Sequence, residues 1–383
     1  MTMATKQEIF KEKLGEYLAA SKEEKGRILD AVCRITGGNR KAAIRRFKTL
    51  QTRPRSWKKR RGRNITYGHR TTVALKEVWE TMNRVCAERL HPMIPEYVRI
   101  LKRDGMWNFR EPETALLLQM SLGTVKDRIG SFDRIKKGGG RGTTKPSNLK
   151  EIIPIRRGPW QNPQPGRGEI DTVAHCGGTI SGDFCYTVQY TDIATVWMCL
   201  AGQWNKGEEE TRKSIERIRG HLPFPLLGID PDSGSEFINW HLKGWCDTQG
   251  IEMTRTRPYM KNDHARIEQK NYTNILQMVG YSRFDDPRHV AVLNELYLAL
   301  EEYVNFFIPS VVCVEKIRSS SSRTKRRYDI AKPAYQRVLE HTDIAEEVKE
   351  KLRQKYAILN PKILKQKCDR ILARLAKIGS RLR

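Results

Sequence analysis

At residue 167 the hydrophobic pattern of this 383-residue chain changes from helical spacing to the two-residue alternation of strands. The segments GEIDTVAH, DFCYTVQYTDI and TVWMCLAGQW are rich in β-branched and aromatic residues and are joined by short turns containing Gly or Asp. They predict three consecutive strands. The pattern then alternates: a helix over about 207–220, the short apolar strand PLLGID, a helix over about 236–248, the strand GIEMTRTR and a longer helix over about 262–280. A chain of this pattern is expected to build an α/β layer around a sheet.

Three acids in this segment sit where acids are costly. Asp171 lies in the middle of the first strand, between Ile170 and Val173, where a carboxylate must be protonated, paired or metal-bound. Asp232 follows the apolar run LLGID and precedes Gly234, which permits a tight turn, so it is expected at the carboxyl end of its strand. Asp230, two residues earlier, is an alternative for the same place. Glu268 shares a helical face with Tyr272, Ile275, Leu276 and Val279, the face expected to pack on the sheet. Arg266 and Lys270 lie two residues away on that helix and do not face it, so they cannot neutralise it. Bringing several carboxylates together suits a pair of hard divalent cations, which need anionic oxygens between them.

The charge distribution points to the partner. Lys and Arg total 71 against 44 Asp and Glu, a formal +27, as expected of a protein that meets a polyanion, with nucleic acid the leading candidate. Residues 166–285 hold 13 basic and 16 acidic side chains, a net −3, so the rest of the chain carries +30. The acids therefore occupy a nearly neutral segment between basic flanks, an arrangement suited to gripping phosphates outside and holding cations inside.

The flanks divide by composition. Residues 1–52 contain two helical patterns around Gly37-Gly38-Asn39, a helix-turn-helix candidate whose second helix offers Arg40, Lys41, Arg45 and Arg46 to DNA and Ala42, Ala43, Ile44 and Phe47 for packing. A helical hairpin with a solvated basic face is the alternative. Residues 53–70 form a linker dominated by Lys58, Lys59, Arg60 and Arg61, which are candidate phosphate contacts. Residues 71–135 have helical spacing and a second possible turn at Met120-Ser121-Leu122-Gly123, with Thr124, Lys126 and Arg128 on the outer side of the helix that follows. Residues 136–166 are a Gly-, Pro- and Lys/Arg-rich linker. The core is expected over 167–308 and a basic region over 309–383, where Leu364, Cys368, Ile371, Leu375 and Ile378 form one apolar seam. Docking onto the protein's own core is expected of that seam, with a dimer or DNA contact as the other uses. The eight cysteines are scattered without a CxxC pair, so no zinc site is expected. The start, MTMATKQEIFKEK, has no apolar signal region and no stretch reaches the roughly 18 apolar residues of a membrane span, so a soluble, cytoplasmic protein without membrane partners is expected, nucleoid-associated if it binds DNA.

These residues resemble the DDE transposases of bacterial insertion sequences, whose catalytic core is similar to that of retroviral integrases. Asp232-Ser233-Gly234-Ser235-Glu236-Phe237 is similar to the family's Asp-Asn-Gly-x-Glu-Phe, with Ser233 in place of the usual Asn and with Pro231 as a further departure. PYMKNDHARIEQKN resembles the family's glutamate helix, and YVNFFIPS with RYDIAKPAYQRVLE resembles the segment that follows the core. The His-and-Cys zinc module of retroviral integrases has no counterpart here, which places the chain nearer the bacterial elements. The resemblance spans about 165–340 and implies a multidomain α/β protein: a ribonuclease-H-like core with a mixed five-stranded sheet, preceded by helix-turn-helix domains. It implies that Asp171, Asp232 and Glu268 bind two Mg²⁺ or Mn²⁺ ions. It further implies hydrolysis at a transposon end, then attack of the freed 3′-hydroxyl on target DNA, by a protein that is a homo-oligomer when assembled on double-stranded DNA. Lys261, Lys270 and Asn271 flank Glu268 as candidate DNA contacts. A nuclease that does not join strands and a non-catalytic DNA-binding regulator are the competing readings.

Overall fold

A computed structural model of the chain describes residues 1, 3–52, 66–132, 164–231, 234, 236–255, 275–318 and 324–378. It falls into two compact units, Met1–Thr66 and Tyr67–Arg383.

The first unit is helical: α1 (Met3–Glu12), α2 (Leu14–Ala19), α3 (Lys22–Thr36) and α4 (Arg40–Thr52). Ser21 starts α3 with a capping box: its hydroxyl accepts the Glu24 N–H and the Glu24 carboxylate accepts the Ser21 N–H. Gly37, in the left-handed region at φ +63°, ends it, a conformation that costs glycine nothing. Phe10, Leu29, Val32, Ala43 and Phe47 make the core, with the Tyr17 ring stacked on Phe47 at 4.2 Å. Of the four apolar residues expected to pack from α4, Ala43 and Phe47 are buried while Ala42 and Ile44 are exposed. The helix is packed along one narrow stripe four residues apart.

The second unit begins with helices α5 (His69–Thr81), α6 (Ala87–Leu90), α7 (Ile94–Arg103), α8 (Glu111–Leu118) and α9 (Leu122–Gly130). The sheet follows: β1 (Arg167–Ala174), β2 (Cys185–Asp192), β3 (Met198–Trp204), β4 (Gly228–Pro231) and β5 (Glu252–Met253), with α10 (Glu208–His221) before β4 and α11 (Trp240–Thr248) before β5. Its order is β3-β2-β1-β4-β5. The first three strands form an antiparallel meander, and β4 and β5 run parallel to β1. This mixed sheet is consistent with a ribonuclease-H-like core. Two elements are shorter than the periodicity predicts. The Asn239 side chain accepts the Leu242 N–H at 2.8 Å, so α11 starts only at Trp240, and β5 spans two residues.

After the sheet come α12 (Gln277–Val279), α13 (Arg288–Phe307), an antiparallel hairpin of β6 (Cys313–Arg318) and β7 (Thr324–Tyr328), then α14 (Ala334–Glu340), α15 (Glu346–Ile358) and α16 (Pro361–Ile378). The hairpin was not expected from the basic, Ser-rich sequence.

Helix α13 is buried on nearly every side, including Leu293, Leu296, Tyr297, Leu300, Val304 and Phe307. On one side it lies along the edge strand β3. The Asn305 carboxamide accepts the Met198 N–H at 2.8 Å and donates to its carbonyl at 2.7 Å. The Glu301 carboxylate accepts the Leu200 N–H at 2.6 Å, and Asn294 repeats the two-way bond at Gly202. On other sides the Tyr303 hydroxyl donates to the Thr81 carbonyl at 2.6 Å and the Tyr97 hydroxyl to the Phe307 carbonyl at 3.0 Å. The C-terminal seam also docks here: Leu364, Cys368, Ile371 and Leu375 of α16 are buried in the same core, and Arg374 pairs with Glu295 of α13. Among the described residues no helix is long and apolar enough to cross a membrane.

Glycine at 168 is required by close approach. A Cβ there would sit 2.3 Å from the Tyr190 ring, whose side chain is fully buried and cannot retreat. Gly168→Ala is expected to lower stability by about 1–3 kcal/mol in urea unfolding. Gly123→Ala on α9, where the nearest atom is 3.9 Å away, is expected to be neutral or stabilising by up to about 1 kcal/mol. Equal effects of the two would contradict the packing described.

Candidate active site

Strand alternation puts Glu169, Asp171 and Val173 of β1 on one face of the sheet and Gly168, Ile170 and Thr172 on the other. Asp171 is opposite Gln189 of β2, and its carboxylate is half-buried with Oδ1 accepting the Thr172 N–H at 2.7 Å. On the other side of β1 the parallel ladder runs Glu169↔Asp230 and Ile170↔Pro231. It therefore ends one residue short of both Asp171 and Asp232.

Asp230, the alternative second acid, is fully buried, and its Oδ1 accepts the Thr254 hydroxyl at 2.6 Å. That bond ties β4 to the residue after β5, an anchoring role for an acid remote from solvent. Asp232, Glu268, Lys261, Lys270 and Asn271 lie outside the described residues, as do Lys58, Lys59, Arg60 and Arg61. Among the described residues no three His, Cys, Asp or Glu side chains come together as a metal site. Asp171, a half-buried carboxylate, is the kind of oxygen ligand that fits a hard divalent cation.

Three buried arrangements hold β1 in place. At its start, Asp192 accepts the Gly166 N–H at 2.7 Å, the Thr195 N–H at 2.7 Å and the Thr195 hydroxyl at 2.6 Å. Burial outweighs these bonds and pushes its carboxyl up to about 6. Beyond its end, His175 is buried with Nε2 2.7 Å from the Thr187 hydroxyl, which in turn bonds the Tyr297 hydroxyl of α13. Burial pulls the imidazole down to about 3, so it is neutral near pH 7.

The third arrangement was missed by the reading of the sequence. Glu236, 4 % exposed, accepts the Thr172 hydroxyl at 2.9 Å and pairs with the Lys206 ammonium at 2.6 Å. Lys206 also lies over the Tyr186 ring, 5.4 Å from its centroid, and burial raises the Tyr186 phenol to about 12. The pair fastens the residue next to Asp171 to the loops after β3 and β4. The sequence carried one sign of it: Glu236 belongs to the Asp-Ser-Gly-Ser-Glu-Phe stretch, but its partner is 30 residues away.

The candidate DNA contacts on the helices are placed unevenly. In the first unit Arg40 pairs with Asp30, Arg46 lies over the Phe10 ring at 5.6 Å, and Arg45 bonds the Lys41 carbonyl. Arg40, Lys41 and Arg45 are exposed. In the second unit Ser121 caps α9 and its hydroxyl is 3.0 Å from that of Thr124. Arg128 turns inward: it bonds the Thr72 hydroxyl and the Tyr67 carbonyl and sits over the Tyr67 ring. Lys126 is exposed, 3.4 Å from Glu88.

No family model matches the chain. It is 35% identical over 336 residues, 87% of this chain and 95% of the relative, to the uncharacterized protein y4rM of Sinorhizobium fredii (strain NBRC 101917 / NGR234). The chain belongs to the family of that protein. A solved structure of the simian T-cell lymphotropic virus intasome in complex with PP2A regulatory subunit B56 gamma is similar over 55% of this chain and 67% of that chain, with 13% identity and a TM-score of 0.31. A likeness that slight does not bear on fold or activity.

Two outcomes are expected from these arrangements. Lys206→Met leaves the Glu236 carboxylate buried without its cation and is expected to cost about 3–5 kcal/mol in denaturant unfolding, with Glu236→Gln in the same background recovering part of it. No recovery would mean that the pair is not coupled. For His175, the unfolded imidazole gains its proton below about pH 6.5 and the folded one only near about 3. Stability is therefore unaffected by this group above that window and falls as pH drops through it. His175→Gln is expected to flatten stability against pH between those limits, and an unchanged slope would show that the imidazole is accessible to protons.

Proposed function

We propose that this protein is a DNA strand transferase: a transposase that cleaves the ends of a DNA element and joins the freed 3′-hydroxyl to target DNA. The observation that carries the reading is the placement of Asp171. It is a half-buried acid on the first strand of a mixed sheet, beside a parallel strand whose last residue, Pro231, immediately precedes Asp232. The strand order is consistent with a ribonuclease-H-like core, and the basic segments on either side supply charge complementary to DNA.

In this reading Asp171, Asp232 and Glu268 hold two Mg²⁺ or Mn²⁺ ions. Bound metal would activate water or a 3′-hydroxyl and stabilise the departing oxygen of the phosphodiester. The protein contributes position: the antiparallel bonds to β2 and the Glu236–Thr172 bond fix the backbone that carries Asp171, so its carboxylate need not be ordered during reaction. Exposed Lys41, Arg45 and Lys126 are available for phosphates, and the inward contacts of Arg128 make it a structural residue first. We further propose that the protein assembles as a homo-oligomer on DNA, because two element ends must be brought together.

The test is strand transfer of a pre-cut element end into supercoiled plasmid with Mg²⁺ or Mn²⁺. Asp171→Asn, Asp232→Asn and Glu268→Gln are each expected to reduce joining by at least about a hundredfold while retaining end binding in EDTA. Nicking without joining in wild type would favour a nuclease. DNA binding with neither reaction would favour a regulator, and full activity in any of the variants would remove that acid from the site.

A further inference from the structure

A cavity of about 170 Å³ lies between the turn linking α5 to α6 and the buried helix α13. Arg84, Cys86 and Arg89 line one side, and Met278, Leu300 and Val304 belong to the apolar wall. Among the described residues no carboxylate lines it. The Arg89 guanidinium is partly buried, and its described hydrogen bond is from Nε to the neutral carbonyl of Pro309. No carboxylate pairs with it among the described residues. Burial is the largest influence on its pKa and lowers it.

A guanidinium drawn out of water costs free energy unless an anion joins it, and its planar fork leaves further donors for a tetrahedral oxyanion. Arg84 adds a second positive charge. It reaches Glu80 only at 3.8 Å and otherwise lies over the Trp79 ring at 5.6 Å. The backbone that presents it is held in an unusual state: Asn83 and Arg84 both have positive φ, 54° and 58°, a conformation that costs side-chain-bearing residues about 1 kcal/mol or more each. The Arg84 N–H bond to the Trp79 carbonyl at 2.8 Å and the Trp79 indole bond to the Val85 carbonyl at 2.9 Å hold the turn there.

We infer that this cavity is a phosphate-binding site, with Arg89 at its base and Arg84 at its rim. The ligand is a phosphoryl group, either a DNA backbone phosphate or free phosphate. The site does not depend on the strand-transfer reading, because it would exist equally in a protein that only binds DNA or a small phosphorylated ligand.

Cys86 is exposed and lines the cavity, which gives a local readout that the chain's overall positive charge does not obscure. The experiment is alkylation of the full-length protein with neutral iodoacetamide, followed by peptide mass, with inorganic phosphate or a short DNA duplex present. At tenfold excess over its dissociation constant, the ligand is expected to slow Cys86 labelling by about tenfold. Cys33 and Cys313, both partly exposed and not among the residues that line the cavity, serve as controls and are expected to be unchanged. Protection by phosphate alone assigns a free phosphoryl ligand, and protection by duplex assigns the DNA backbone. Arg84→Gln leaves the Arg89–Pro309 bond intact and is expected to abolish the protection without altering the unfolding midpoint; Arg89→Gln is expected to abolish it as well. Unchanged Cys86 labelling with both ligands, or full protection persisting in Arg84→Gln, would overturn the assignment.

Discussion

The bonds between α13 and the edge strand β3 hold the second unit together. An edge strand presents alternate N–H and C=O groups that must be satisfied, and here Asn294 and Asn305 bond both groups of Gly202 and Met198 while Glu301 accepts the Leu200 N–H. The spacing of the three polar residues, seven and then four, keeps them on one side of the helix, while Leu293, Leu296, Tyr297, Leu300, Val304 and Phe307 are buried around it. That lets α13 serve three masses at once. It closes the sheet, receives the Tyr97 hydroxyl bond and donates one from Tyr303 to Thr81, which join it to the α5–α9 helices, and carries α16. Removing those bonds to β3 would leave buried backbone donors without partners, and the sheet beneath Asp171 would lose its fixed edge.

A consistent electrostatic division follows. Acids inside the sheet region are each tied to specific donors: Asp192 to the Gly166 and Thr195 N–H groups, Asp230 to Thr254, Glu236 to Thr172 and Lys206, and Glu301 to Leu200 and His221. A low dielectric strengthens every bond such carboxylates make, which offsets part of the cost of burying them and makes the loss of any partner expensive. Asp171 stands apart by its half exposure on the sheet face. Many of the basic side chains lie on solvent-facing helix surfaces.

Much of the architecture could be read from the chain because it is local. Two-residue alternation marked β1, β2 and β3, Gly37 marked the end of α3, and the repeating Leu364, Cys368, Ile371, Leu375 seam marked the face by which α16 docks. What escaped reading depends on partners distant in sequence. Nothing around Asn294 or Asn305 announces an edge strand roughly a hundred residues earlier, and α13 is apolar on so many sides that its period carries no orientation. Arg128 reads as a surface cation by helical spacing, and only the position of Tyr67 and Thr72 turns it inward. The β6–β7 hairpin was hidden by a basic, Ser-rich composition that periodicity reads as linker. Asp171 was legible as a costly acid in a strand; the Lys206–Glu236 pair that steadies its neighbour was not, because the two residues meet only after the sheet has formed.

The docking of α16 also sets an order of events during synthesis. The Lys362 ammonium of this helix reaches Glu77 of α5, 285 residues earlier, and its apolar seam covers α13. A growing chain can complete the meander early, but α13 stays uncovered until α16 has been made. Closure of the unit therefore depends on contacts of very long sequence separation, the kind that slow folding and leave apolar surface open meanwhile. Emergence of α16, rather than formation of the sheet, would be the moment at which this unit closes, and the interval before it is when a chaperone would have most to hold.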